Sequence, residues 1–118
     1  MEDGRLMRSM LLDFYGELLT SKQRECYDLH YNDDLSMAEI AEQLGISRQG
    51  VWDNIRRADA ALQDIEEKTG LIRRFSHTQQ SLERLHGQMQ RLKELCTGEA
   101  GDIAAAAAAE VEKMRLEV

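Results

Sequence analysis

The sequence of 118 residues contains no proline, two cysteines and only 5% aromatic residues. The lack of proline and aromatic residues, together with abundant Ala, Leu, Glu, Gln and Arg, favours helices and argues against a β-sandwich or barrel. Cys26 and Cys96 are far apart and neither belongs to a CxxC pair, so we expect buried thiols, without a disulfide framework or a zinc site. The sequence therefore predicts an all-α protein of about one domain.

Long apolar runs and recognisable catalytic motifs are also missing. No run of about 18 apolar residues is present, and the N-terminal segment MEDGRLMRSM lacks the apolar core of a signal peptide. We therefore expect a cytoplasmic protein without membrane insertion. The three histidines show no ligand spacing, no glycine-rich phosphate loop occurs, and no Ser or Cys has a nearby base with an orienting partner. We expect neither an enzyme nor a protein with a metal ion or cofactor.

Positive charge is scarce and unevenly distributed. The chain has 15 basic and 22 acidic residues and a formal charge of −7, whereas a dedicated nucleic-acid binder usually has a basic surface. Residues 1–70 carry 8 basic and 15 acidic side chains, residues 71–97 carry 5 and 2, and residues 98–118 carry 2 and 5. The one basic segment is 71–97, whose cations could contact phosphate or form a solvated coiled-coil face.

Periodicity and capping residues predict four helices within residues 1–70. Leu6, Met10 and Phe14 recur at spacings of four and predict an amphipathic first helix over 5–18, whose apolar stripe is widened by Met7, Leu11 and Leu18. The second helix is expected from about residue 22, and the third and fourth from the capping residues that precede them. The residues expected to cap or end these helices are Thr20 or Ser21, Ser36 with Glu39, Gly45, Ser47 and Gly70. The three tyrosines are expected at the edge of the core.

Residues 37–56, MAEIAEQLGISRQGVWDNIR, have the pattern of a helix-turn-helix. Ala41 is small where the two helices would touch, Gly45 suits the turn, and Ser47 suits the abrupt start of the second helix. The shared core is expected to consist of Ile40, Leu44, Ile46, Val51 and Ile55. One departure is Asn54, which occupies the last core position of the usual pattern, so that the apolar stripe resumes at Ile55.

The second helix of this motif carries the predicted binding face. A rotation of 100° per residue points Gln49, Asp53, Arg56 and Arg57 away from the core and puts Trp52 at the flank. The residues predicted to bind nucleic acid or a protein partner are Ser47, Arg48, Gln49, Trp52, Asp53, Arg56 and Arg57. Because Asp53 lies at the centre of this face, within a segment of net charge −7, a packing unit or a protein-binding surface is an equally supported alternative.

Beyond residue 70 the apolar residues alternate spacings of three and four, as in a helix that packs on another helix. We interpret residues 1–70 as the helix-turn-helix module, 71–97 as a long amphipathic helix and 98–118 as an Ala-rich helical tail with little surface to bury. The long helix is predicted to form a homodimer, with packing back on its own module as the alternative. The predicted dimer contacts are Phe75, Leu82, Leu85, Met89 and Leu92.

The run from LTSKQRECYDLHYNDD through SRQGVWDNIRR to EEKTGL resembles the YlxM family of small bacterial helix-turn-helix proteins, and more distantly the fourth region of sigma factors. The resemblance covers roughly residues 5–95. It implies a sigma factor region four-like module and a regulatory role in the signal recognition particle pathway. It points to DNA, RNA or the GTPase of the particle as partners. A structural or adaptor dimer without nucleic-acid affinity and a DNA-binding transcription regulator are the alternative functions.

Overall fold

The computed structural model describes residues 2–117, which divide into two compact units after Ile72. The described residues form helices and no strand, which confirms the all-α prediction. The helices are α1 (Glu2–Tyr15), α2 (Ser21–Tyr31), α3 (Met37–Leu44), α4 (Arg48–Thr69), α5 (Leu71–Leu95) and α6 (Gly98–Glu117), with a 3₁₀ turn over Gly16–Leu18. None of these helices combines the length and the apolar character needed to cross a membrane.

Local side-chain hydrogen bonds set the starts of α2 and α3. Thr20 Oγ1 accepts a hydrogen bond from the Gln23 amide at 3.2 Å, and the Gln23 side chain accepts one from the Thr20 amide at 3.2 Å. Ser36 and Glu39 form the same reciprocal pair at 3.1 and 3.0 Å, which confirms the predicted capping box. Because two otherwise unpaired amides are satisfied in each box, the helices begin where the sequence indicates.

The first unit contains two adjoining apolar clusters, and α4 contributes to both. Val51 and Ile55 pack with Cys26 and Ile40 beside the helix-turn-helix. The second cluster consists of Leu11, Leu12, Tyr15, Tyr27, Ala58, Leu62 and Ile72. The continuous stripe along α4 agrees with the prediction from sequence and fixes this helix against α1, α2 and α3.

The predicted core face of the first helix is wrong in part. Leu11 is buried and Met10 packs against the core as predicted, but Leu6 and Phe14 are 62% and 40% exposed, and the buried Leu12 and Tyr15 were not predicted. Tyr15 can be buried because its hydroxyl is hydrogen-bonded at the end of α4. It lies 2.6 Å from Oε1 of Glu66 and 2.7 Å from Oγ1 of Thr69. The prediction that the tyrosines lie at the core edge is therefore also wrong for Tyr15, and for Tyr27, which is fully buried.

In the second unit α5 and α6 form an antiparallel hairpin. Gln79 donates to the backbone carbonyl of Arg115 at 3.3 Å, and His86 lies 3.0 Å from a carboxylate oxygen of Glu112. The chain reverses at residues 96–98. The tail is helical as predicted, but the expectation that it has little to bury is wrong, since Ala104 and Ala108 are buried. Their spacing of four residues puts both on one side of α6, where small side chains permit a close approach.

Candidate binding face on helix α4

A short turn between α3 and α4 fixes the direction in which α4 leaves the motif. Gly45 ends α3 with a positive φ of 69°, and the Ile46 amide donates to the Ala41 carbonyl at 3.1 Å. Ser47 then caps α4, because its hydroxyl accepts the Gly50 amide at 2.9 Å. A Cβ atom on Gly50 would lie 3.1 Å from this hydroxyl, so the absence of a side chain suits the tight start of α4.

The side chains of α3 and α4 pack as a helix-turn-helix requires. Ile40 and Val51 are fully buried, and Leu44 and Ile46 pack against the same cluster while remaining partly exposed. The predicted departure at Asn54 also has a structural explanation. Its side-chain amide donates to the Gly50 carbonyl of α4 at 2.8 Å, so the hydrogen bond of this polar side chain is made within α4. The next residue, Ile55, packs in the core.

The opposite side of α4 leaves the predicted binding residues accessible. Arg48, Gln49, Arg56 and Arg57 are exposed, and Trp52 is 47% exposed. Together with Ser47 and Asp53, these side chains form what we call the α4 face. It consists of Ser47, Arg48, Gln49, Trp52, Asp53, Arg56 and Arg57. Their common location agrees with the helical rotation, while their binding role stays a prediction.

Asp53 holds two neighbours on the α4 face. One carboxylate oxygen accepts a hydrogen bond from the side-chain amide of Gln49 at 3.2 Å and lies 3.9 Å from the Arg56 guanidinium. The Arg56 guanidinium also lies 5.1 Å from the centre of the Trp52 ring. Gln49 and Arg56 each contact Asp53 through one nitrogen, so both keep further hydrogen-bonding groups that a ligand could use.

The α4 face differs in charge from the unit that carries it. It contains Arg48, Arg56 and Arg57 against one acid, Asp53, whereas residues 1–70 carry 8 basic and 15 acidic side chains. Arg48 and Arg57 make no ion pair with any residue of the described chain. These two guanidiniums are the cations most available to a ligand.

Two polar contacts that the sequence did not indicate hold α4 to α1. One is the hydrogen bonding of the Tyr15 hydroxyl described above. Burial, and next the hydrogen bond to Glu66, raise the pKa of Tyr15. The other is Arg8, whose Nε lies 3.7 Å from Asp59 of α4 and whose guanidinium lies 4.6 Å from the Tyr31 ring centre. These partners are far apart in sequence, so spacing gave no signal.

No group of three His, Cys, Asp or Glu side chains in residues 2–117 is arranged to hold a metal ion. The arrangement on α4 instead consists of donors, one carboxylate and one aromatic ring on a rigid helix. Such a surface is suited to recognition of a phosphate backbone, a base edge or another protein.

Two helices that share a core across a capped turn, the second of them accessible on its outer side, define a helix-turn-helix protein. A family model described as "UPF0122: Putative helix-turn-helix protein, YlxM / p13 like" matches residues 2–99. The chain therefore belongs to the UPF0122 family of YlxM/p13-like helix-turn-helix proteins, as the resemblance predicted.

Individual relatives carry the family name as well. The chain is 43% identical over 94 residues to a UPF0122 protein of Thermoanaerobacter sp. (strain X514), which covers 80% of each chain. It is 47% identical over 91 residues to one from Geobacillus kaustophilus, covering 77% of this chain and 83% of the relative. A UPF0122 protein of Acetivibrio thermocellus is 58% identical over 67 residues, or 57% of each chain. The family match includes the α4 face and ends at the start of α6.

Proposed function

We propose that this protein is a non-enzymatic regulatory binding protein that acts in the cytoplasmic signal recognition particle pathway and contacts structured nucleic acid through the α4 face. The observation that carries the proposal is the exposure of three arginines and Trp52 on the second helix of the motif. The pathway follows from the YlxM resemblance, and the chemistry of binding follows from these side chains.

The expected binding is weak and led by phosphate contacts. Arg48, Arg56 and Arg57 allow about two to three phosphate contacts, and each contributes about −0.9 to the slope of log affinity against log salt. Raising the salt concentration from about 50 to 200 mM should then lower the affinity roughly 10- to 40-fold. The acids of the same unit keep the affinity below that of a basic binding domain.

Asp53 supplies a second, independent expectation. Its carboxylate would face the phosphates and already holds Gln49 and Arg56. The Asp53→Asn change removes this negative charge and keeps a similar shape, so it should strengthen binding several-fold. A ligand bound elsewhere on the protein would not respond in this way.

The experiment is a fluorescence anisotropy titration of the full chain against a labelled DNA duplex and a labelled structured RNA at three salt concentrations. Arg56→Ala combined with Arg57→Ala should reduce the affinity for the preferred nucleic acid at least about tenfold. Lys68→Ala with Lys113→Ala is the matched control, because it removes the same charge from exposed sites outside the α4 face. An affinity that is insensitive to salt, or equal losses in both double variants, would contradict the proposal.

The same titration separates the neighbouring functions. Preference for one duplex sequence over structured RNA would indicate a DNA-binding transcription regulator. Absence of binding to either nucleic acid would favour an adaptor protein without nucleic-acid affinity.

A protein partner is the second candidate, and the position of Trp52 favours it. Trp52 is 47% exposed beside Arg56, and Trp and Arg are the residue types that dominate binding energy at protein interfaces. For the GTPase of the particle as partner, Trp52→Ala should weaken the complex by at least about tenfold, corresponding to about 1.4 kcal/mol. A calorimetric titration in which Trp52→Ala binds like the unchanged protein would exclude the α4 face as the site.

A further inference from the structure

The α5–α6 hairpin carries an apolar groove close to its turn. The groove has a volume of 440 Å³ and lies entirely within the second unit. Its lining consists of Met89, Leu92, Cys96, Ala100, Ile103, Ala104 and Ala107. Leu92 and Ile103 stand on its two walls with 43% and 63% of their surface exposed. Large apolar side chains of this kind on both walls indicate a surface that another chain covers.

The hairpin has little core of its own. Within residues 73–117 the buried side chains are those of Leu82, Ala104 and Ala108, and two of these are alanines. Leu85 and Leu92 on α5 remain 44% and 43% exposed. At about 25 cal/mol for each Å² of buried apolar surface, covering these leucines would add substantially to the stabilisation that the small core provides.

The two helices of the hairpin carry opposite charge. Helix α5 has 5 basic and 2 acidic side chains, whereas α6 has 2 basic and 5 acidic. Arg91 and Lys93 are exposed on either side of Leu92, and Asp102 is exposed next to Ile103. Within the described part of the chain these three charges form no ion pair. Near the groove, α5 therefore carries Arg91 and Lys93 against one exposed acid, Glu94, whereas α6 carries Glu99 and Asp102, so the two walls differ in net charge.

We propose that this groove is a dimer interface, in which α5 of one copy packs against α6 of the second copy in a two-fold, four-helix arrangement. A two-fold interface must be complementary to itself. In this arrangement the basic α5 of each copy faces the acidic α6 of the other copy, so the favourable contact occurs twice. Pairing α5 with α5 would instead set basic side chains against each other. The opposite charges of the two walls are therefore the reason for choosing a second copy as the occupant.

This interface differs from the one predicted from sequence. The predicted stripe used only α5 and included Leu82, which is buried within the chain and hence not available to a partner. The groove instead combines Met89 and Leu92 of α5 with Ile103 of α6. The proposal is independent of nucleic-acid binding, since the α4 face belongs to the other unit.

The first test is light scattering of the full chain over a dilution series. We expect twice the 13.5 kDa chain mass at high concentration, and a single chain mass for Leu92→Lys combined with Ile103→Lys, with the helical circular dichroism retained. Leu6→Lys with Leu18→Lys is the matched control, because both leucines are well exposed on the first unit, and it should remain dimeric. A monomeric unchanged protein, or a dimer that survives the groove variant, would overturn the proposal.

The second test uses only exposed charges, so it does not depend on apolar substitutions that could disturb folding. One variant carries Arg91→Glu and Lys93→Glu, and the other carries Asp102→Lys and Glu110→Lys. Each alone should dimerise about tenfold more weakly than the unchanged protein, because like charges then face each other. Mixed in equal amounts, the two should form a heterodimer detectable by native mass spectrometry. A mixture that remains as weak as its components would overturn the α5–α6 pairing.

Discussion

Ile55 is, with Val51, one of the two buried side chains through which α4 packs in the helix-turn-helix core. It is 5% exposed and belongs to the cluster of Cys26, Ile40 and Val51. Ile55→Ala removes three carbon atoms and leaves a cavity among neighbours that come from three helices. We expect this variant to remain folded in dilute buffer and to unfold at a much lower urea concentration.

The magnitude follows from the removed atoms and the cavity. Three buried carbons at about 0.8 kcal/mol each give about 2.4 kcal/mol, and the cavity term brings the expected loss to about 2–5 kcal/mol. A unit of some 70 residues has a free energy of unfolding of roughly 4–11 kcal/mol. Ile55→Ala should therefore remove about a fifth of the stability or more, while Ile55→Val, which removes one carbon, should cost about 0.5–1.5 kcal/mol.

Urea unfolding monitored by tryptophan fluorescence is the suitable assay. Trp52 is the single tryptophan of the chain and lies one turn from Ile55, so its signal reports on the unit that contains α4. Gln63→Ala, at an exposed position of the same helix, is the control and should change stability by less than about 0.5 kcal/mol. The assignment of Ile55 to the core would be refuted if its alanine variant unfolded at the same midpoint as this control.

Three further outcomes follow from the structure. In the Leu92→Lys and Ile103→Lys variant, whose groove is not covered by a second copy, Ellman's reagent should modify the half-buried Cys96 quickly and Cys26 only on unfolding, because burial shields Cys26 and raises the pKa of its thiol; two fast thiols would contradict this. Ser47→Ala should cost about 1 kcal/mol in urea unfolding through loss of the α4 cap, whereas a change below 0.3 kcal/mol, on the order of the error, would argue against the cap. Since the pKa of Tyr15 is raised, its contribution is complete below about pH 10 and is lost as the pH rises through the folded-state pKa. Tyr15→Phe should therefore lessen the fall in urea midpoints between pH 10 and 11, and an unchanged fall would refute this.

The parts of the fold that sequence predicted well are those determined locally. The Ser36–Glu39 box and the Ser47 cap each join residues three positions apart, so the pattern contains the whole interaction. The stripe of α4 was also predictable, because strongly apolar residues recur at the helical period on one side only. Gly45 has the positive φ that its position at the end of α3 required.

The parts that sequence missed depend on partners far along the chain. The buried face of α1 differs from the predicted one because it includes Tyr15. The hydroxyl of Tyr15 bonds with Glu66 and Thr69, which are 51 and 54 residues away. Helix α6 was misjudged for a different reason. A run of six alanines has almost no contrast between apolar and polar faces, so periodicity could not indicate that Ala104 and Ala108 would be buried.

The net charge of −7 opposes nucleic-acid binding, but screening by salt limits its influence at a distance. At physiological salt, charges separated by more than about 8 Å across solvent are largely screened. Arg48 and Arg57 are nine residues apart on one helix, or about 14 Å along its axis, so a phosphate near one of them is largely screened from the other and from any acid at a comparable distance. On that face three arginines stand against Asp53 alone. The acids elsewhere in the unit then chiefly slow the association with nucleic acid at low salt. Whether the contact with a phosphate is attractive is determined by the charges of the α4 face.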